Sequence, residues 1–233
     1  MSVARSLLRI KAPRTVACIG RNYADHIKEL GNTAPAEPFY FLKPASSILH
    51  PKAGPLLVPK NNNVHFEVEL AAVIGPKGAD DDVNPGNARE RIKGYAVAID
   101  MTSRTYQELA KKKGLPWTLS KGLKTFLPIS HFIPKEKIPD PMNVELHLEV
   151  NGQVKQQDST ALMLKNVDQL ITHCASVSPL EEDDLVLTGT PKGVGPVVPG
   201  DVITAGVRVN GQELEEGKIE VKVEERTSGY GSE

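Results

Sequence analysis

Residues 64–70 (VHFEVEL) alternate between apolar and polar side chains. A period of two predicts a strand with one buried face. Val64, Phe66, Val68 and Leu70 share that face, and His65, Glu67 and Glu69 share the other. Residues 94–101 (GYAVAIDM) repeat the pattern, with Tyr95, Val97 and Ile99 opposed to Ala96, Ala98 and Asp100. The apolar runs 15–20 (TVACIG) and 184–189 (DLVLTG) read as buried strands, and 39–42 (FYFL) as a short strand leading into Lys43-Pro44. Residues 144–150, Asn151-Gly152 and Gln153 onward form a hairpin signal with a type I′ turn, which Asn210-Gly211 repeats. Residues 201–207 and 219–225 complete the strand set.

Three helices interrupt the strands. Asn22 is placed to cap a short helix running to about Leu30, which Gly31-Asn32 ends. Pro35 and Pro38 then make a linker able to move against the body. Thr102 or Ser103 caps a second helix to about Lys113, followed by Gly114. Val167, Leu170, Ile171, Cys174 and Val177 make the apolar stripe of a third, with Cys174 in the core and His173 off the stripe.

The 19 glycines and 18 prolines are spread along the 233 residues, as expected of many turns in a β-rich fold. With 39% hydrophobic and 24% charged residues the composition is that of a globular protein. A net charge of -1 gives no sign of a nucleic-acid footprint. No apolar run approaches the roughly 20 residues of a membrane span. Two isolated cysteines, Cys18 and Cys174, indicate a reducing compartment rather than a disulfide framework. Arg5, Arg9, Lys11, Arg14 and Arg21 all precede the first acidic residue, Asp25, as in a mitochondrial transit peptide; a plain exposed terminus gives the same pattern. The chain divides into an N-terminal segment 1–14, a single catalytic domain 15–225 with no convincing internal linker, and a flexible tail 226–233. Asp80-Asp81-Asp82 and Lys111-Lys112-Lys113 read as solvated runs, the lysines complementing a helix C-terminus. His147 reads as an exposed sheet residue, and His50 and His131 have no evident partner.

Glu67 and Glu69 on one strand face repel each other by roughly 0.2–1 kcal/mol. A hard divalent cation between them offsets that cost. The alternative is that both simply face water. If the two alternating strands pair, Asp100 becomes a third oxygen ligand and the alanines beside it leave open space. His26 and Glu29 lie three apart on one helix face, so the carboxylate can orient the imidazole as a general base; an exposed surface pair is the alternative. Arg104 and Gln107 are spaced to hold a substrate carboxylate, and Lys121, at the end of a structured loop 115–121, can add a cation. The glycines of 190–195 (TPKGVG) can bring backbone amides to an anion, although the spacing is not that of a P-loop.

Taken together, GRNYADH (20–26), FLKP (41–44), HFEVEL (65–70), AIDMT (98–102), KKKGLPWTLSKG (111–122) and LTGTPKGVGPV (187–197) resemble the fumarylacetoacetate hydrolase family, in particular its acylpyruvase and oxaloacetate decarboxylase subgroup. The resemblance runs from about residue 15 to 223. It implies an α+β, β-rich fold with a rolled mixed sheet, a Mg²⁺ or Mn²⁺ ion, usually a homodimer, and a mitochondrial or cytoplasmic location. It places the metal on Glu67, Glu69 and Asp100. It gives His26 and Glu29 the base and its partner, on a segment that orders as a lid, with Lys121 assisting. Substrate contacts fall on Arg21, Arg104, Gln107, Thr190 and Lys43. Phe66 after His65, and Thr105 after Arg104, depart from the family pattern and bear on substrate preference. The implied activity is Mg²⁺-dependent turnover of a small 2-oxo acid through an enolate: acylpyruvate hydrolysis, oxaloacetate decarboxylation, or keto–enol tautomerisation of oxaloacetate. A metal-dependent binding domain without turnover needs the carboxylates but not the His26–Glu29 pair.

Overall fold

The structure, a computed structural model, describes residues 8–77 and 83–231. The aspartate run 80–82 lies outside the described residues. The fold is α+β and rich in β-structure. Six strands form the central sheet in the order Ile133–Pro134, Ile92–Ile99, Val68–Ile74, Leu185–Leu187, Val16–Gly20, Phe39–Lys43. Val16–Gly20 runs parallel to Leu185–Leu187 and the other neighbours are antiparallel, so the sheet is mixed. A second sheet orders Gln153–Ser159, Val144–Val150, Val202–Val209, Ile219–Glu225 and Leu56–Val58. Both hairpins form as the sequence predicts. Asn151 and Gly152 take φ of 52° and 73°, and Asn210 and Gly211 take 50° and 76°, the left-handed pair that a type I′ turn requires.

The two alternating stretches do pair, with Glu69 directly opposite Ala98. Their burial is two-sided rather than one-sided, and every residue of Val68–Ile74 is buried. Val68, Leu70 and Ile74 pack with Tyr95, Val97 and Ile99 in an apolar cluster that continues into Leu146, Ile203 and Val207 of the second sheet. On the opposite face Ala71 and Val73 join Ala96, Ala98, Leu127 and Leu185. The expected single strand 64–70 is also broken at Glu67. Val64–Phe66 leaves the central sheet to pair with Thr102–Ser103 and Gly195–Val197. At the break the Asp100 N–H donates to the Glu67 carbonyl at 2.8 Å. The carboxylates therefore gather where two paired chains turn out of the same sheet.

The first helix spans Ala24–Glu29, but Asn22 is not its cap. Its amide instead bridges two distant segments, donating to the Lys165 and Thr188 carbonyls at 3.0 and 2.9 Å and accepting the Lys165 N–H at 2.9 Å. The second helix, Arg104–Lys113, is capped by Ser103 and closed by Gly114 at φ 63°, as expected. Within the expected loop 115–121, Thr118–Lys121 forms a short helix of its own, which brings Lys121 to its last turn. The third expected helix, Val167–Val177, buries its stripe apart from Val177, which is 63% exposed at the last turn. His147 is half-buried and paired with Glu213 at 2.8 Å, not exposed. Burial, then the nearby Arg9 and His131, push the His50 imidazole below its usual range. Residues 226–231, expected as a free tail, make contacts with the body: Arg226 donates to the Lys124 carbonyl, and the Lys60 N–H donates to the Gly231 carbonyl. No helix among the described residues is long and apolar enough to cross a membrane.

Candidate active site

The turn out of the central sheet places Glu67, Glu69 and Asp100 with one carboxylate oxygen each inside a sphere of mutual approach of 4.8 Å, all three buried. Cations surround two of them. Lys121 Nζ bridges Glu67 Oε2 at 2.8 Å and Asp100 Oδ2 at 2.5 Å. Arg104 Nη2 donates to Glu67 Oε1 at 2.8 Å, and Lys43 Nζ to Asp100 Oδ1 at 2.7 Å. Among the described residues Glu69 has no such partner and accepts the Gly189 N–H alone, at 2.7 Å. The pKa directions follow. Burial, then Asp100 and Glu67, push Glu69 well above the usual carboxylate range. Burial acts the same way on Glu67, but Lys121 and Arg104 outweigh it and hold Glu67 well below that range. Burial opposes the Lys121 charge, yet Asp100 and Glu67 keep its ammonium above the usual range.

This donor set fits a divalent cation. Three hard oxygen ligands converge, a lysine ammonium already occupies a cationic position between two of them, and the third carboxylate has no cation bonded to it among the described residues.

The same pocket receives the imidazole of His26 from the first helix. His26 is buried, and its Nδ1 stands 3.4 Å from Glu29 Oε2. Burial lowers the His26 pKa, and Glu67 and Glu29 offset only part of that. Burial therefore favours the uncharged imidazole, the form a general base needs. The open space at the centre is about 50 Å³.

The family model for the fumarylacetoacetate (FAA) hydrolase C-terminal region matches residues 15–224. The chain belongs to the fumarylacetoacetate hydrolase family. Among curated relatives, a protein of Dictyostelium discoideum named "Oxaloacetate decarboxylase, mitochondrial" is 53% identical over 83% of this chain and 88% of its own length. The "Oxaloacetate tautomerase oaa1, mitochondrial" of Schizosaccharomyces pombe is 49% identical over 90% and 96%. Among solved structures, yeast ynq8 of the same family superposes with a TM-score of 0.84 at 37% identity, covering 97% of this chain and 98% of that one. Fumarylpyruvate hydrolase from Pseudomonas aeruginosa, in complex with Mn²⁺ and pyruvate, gives 0.83 at 31% identity, covering 97% and 98%.

Within this fumarylacetoacetate hydrolase fold, most residues singled out from the sequence meet in one pocket. Arg21, His26, Glu67, Glu69, Asp100, Arg104, Gln107, Lys121 and Thr190 all line it. Two do not. Glu29 stands behind His26, and Lys43, expected among the substrate contacts, lies fully buried beneath the pocket as a brace for Asp100. The glycine-rich turn does bring amides to anions, but the anions are the protein's own: Gly189 serves Glu69 and Gly193 serves Glu29. Sequence reasoning missed the aromatic wall of Phe39, Phe41 and Trp117, and also Lys111. Alternation along 39–41 put Phe39 and Phe41 on one face, a signal that was available. Lys111 was hidden inside a run of three lysines.

Proposed function

We propose that this chain is a divalent-cation-dependent enzyme that acts on oxaloacetate or a similar small 2-oxo acid, interconverting its keto and enol forms or releasing CO₂ from it. The observation that carries the proposal is the placement of a three-carboxylate cluster and a buried, carboxylate-backed imidazole in one small pocket. The relatives named as oxaloacetate decarboxylase and tautomerase support the substrate. A divalent ion held by Glu67, Glu69 and Asp100 supplies Lewis-acid stabilisation of negative charge on the 2-oxo oxygen. Arg104 and Gln107, joined at 3.0 Å, orient the substrate carboxylate, while Thr190 lines the pocket with its hydroxyl proton already given to the Val68 carbonyl. His26, with Glu29 on Nδ1, carries a proton to or from C3. Loss of CO₂ needs no base: the electrons of the C3–C4 bond pass to the 2-oxo group and leave the enolate of pyruvate, which then takes up a proton at C3. Mg²⁺ and Mn²⁺ both suit the oxygen donors.

A second reading rests on the same imidazole. His26 can take a proton from water that attacks the distal carbonyl of an acylpyruvate, which makes the protein a C–C hydrolase. A binding domain without turnover would leave the buried His26, with Glu29 behind it, without a role. We further propose a homodimer without nucleic-acid or membrane partners, and a mitochondrial location in line with the relatives' names. The deciding experiment follows oxaloacetate by NMR with and without Mg²⁺, resolving enol, keto and pyruvate signals. Faster approach to keto–enol equilibrium or faster pyruvate release, dependent on Mg²⁺, is the expected result. No acceleration of either removes the proposal, and turnover of an acylpyruvate alone selects hydrolysis.

A further inference from the structure

We propose that Lys111 determines specificity by reading a second carboxylate on the substrate, so that the pocket prefers dicarboxylic over monocarboxylic 2-oxo acids. This rests on the 2-oxo acid reading above and names the substrate subclass. Arg104, Gln107 and Lys111 stand at i, i+3 and i+7 of one helix, hence on one face, and all three line the pocket. Arg104 reaches the floor at Glu67. Lys111 is one turn, about 6 Å, beyond Gln107 toward the mouth. All three lysines of the run are exposed, but only Lys111 lines the pocket, so the run is not uniform.

The cations of the pocket fall into two sets. Arg104 and Lys121 at the floor, with Lys43 beneath it, each hold a carboxylate. Arg21 and Lys111 at the rim hold none among the described residues. Arg21 donates to the neutral Asn32 Oδ1 at 3.0 Å and lies 5.9 Å from the Phe39 ring centroid. Lys111 Nζ sits 5.7 Å from the centroid of Trp117, whose ring meets Phe39 edge-on at 5.4 Å. Burial, then Arg104 and Arg21, hold the Lys111 ammonium below its usual range, so the three positive groups repel one another. An anion at the rim relieves that repulsion. A monocarboxylic 2-oxo acid spends its carboxylate at the floor and brings none to the rim. A dicarboxylic one brings it there, between two cations poised on a rigid aromatic wall.

Trp117 is the single tryptophan, so its fluorescence reports ligand at this rim. The test titrates Mg²⁺-loaded protein with pyruvate and with 2-oxoglutarate, a dicarboxylic 2-oxo acid, in the wild type, Lys111→Met and Lys111→Arg. Methionine keeps an apolar stem on the ring and removes the charge. The expected result is about tenfold weaker 2-oxoglutarate binding in Lys111→Met, under twofold change for pyruvate, and recovery in Lys111→Arg. The preference should also shrink with added salt. Equal weakening of both ligands, or none, overturns the role of Lys111 while leaving the 2-oxo acid site standing. A wild type that binds pyruvate but not 2-oxoglutarate overturns the inference alone, and failure of both ligands to bind overturns the site and the inference with it.

Discussion

Glu29 accepts the Gly193 N–H through both carboxylate oxygens, at 3.1 and 3.2 Å, while its Oε2 faces His26 Nδ1. The partner that orients the imidazole is thus itself held by the turn that follows Thr190. Lys192 of the same turn pairs with Asp25 at 2.7 Å, one helical turn before Glu29. The helix bearing His26 is fastened at both ends to one turn on the far side of the pocket.

Both Asp25 and Lys192 are more than half exposed, so their ion pair is weak and screened by salt. Lys192→Ala should raise amide exchange in residues 24–38 by a factor of about 1.5–5. Exchanging the two charges, Asp25→Lys with Lys192→Asp, should restore the wild-type rate where each single change does not. Oxalate with Mg²⁺ should slow the same amides by closing the segment over ligand. Exchange that ignores both the variants and oxalate would remove the idea of a latched lid.

Glu69→Gln should separate folding from metal binding. Glu69 is buried between two other carboxylates and has no cation of its own, so removing its charge relieves repulsion in the free protein. The amide still accepts the Gly189 N–H. Thermal unfolding without metal should be unchanged or slightly higher than wild type. The wild type should gain about 2.7 kcal/mol at a Mg²⁺ concentration of 100 Kd. The variant should gain almost nothing, and an equal gain would take Glu69 out of the ligand set.

Much of this site was legible in one dimension, because a period of two fixes which side chains share a face. Glu67, Glu69 and Asp100 were found that way, and His26 with Glu29 by helical spacing. What stayed hidden depends on contacts far apart in sequence. Asn22 looks like a helix cap, but its amide is drawn to Lys165 and Thr188, more than 140 positions away. The break at Glu67 is invisible in an unbroken alternation, since it is set by which neighbours the two halves find. Lys43 is polar and close to the motifs, yet only packing shows that it braces Asp100 from below.

His26 sets a direction for pH. Its pKa lies below the ordinary 6.5 because burial disfavours the imidazolium. The unfolded chain therefore takes up the proton first as pH falls, so the stability tied to this group is full above 6.5 and is lost as pH drops toward the folded value. Base-dependent turnover should show an acid limb in the same window. Glu29→Gln removes a carboxylate that favours the imidazolium, so the limb should move to still lower pH. His26→Ala should cost acylpyruvate hydrolysis on the order of 10²–10⁴ in rate and oxaloacetate decarboxylation much less. Equal loss of both activities would make His26 a positioning group rather than a base.

Gln156 holds the two halves of the site in register. It is the one buried position on the strand Gln153–Ser159. Its Oε1 accepts the N–H of Val68, the residue between Glu67 and Glu69, at 2.9 Å. Its Nε2 donates to Thr190 Oγ1 and to the Pro191 carbonyl, both at 2.9 Å. Thr190 Oγ1 in turn donates to the Val68 carbonyl at 2.8 Å, so one amide ties the carboxylate strand to the turn that latches the helix. Gln156→Leu keeps the volume but strands a buried N–H and a carbonyl, at a cost of about 1–3 kcal/mol in stability. Gln156→Glu should be worse, because a carboxylate there faces the Pro191 carbonyl and is itself desolvated. If the tie matters only for folding, Gln156→Leu at a temperature where it is fully folded should bind Mg²⁺ and oxalate like the wild type. If it sets the turn, Mg²⁺ affinity should hold within a few-fold while oxalate binds more weakly and amide exchange in 24–38 speeds up, because Thr190 and the Gly193 latch shift together. Calorimetry of both ligands on the folded variant decides between the two.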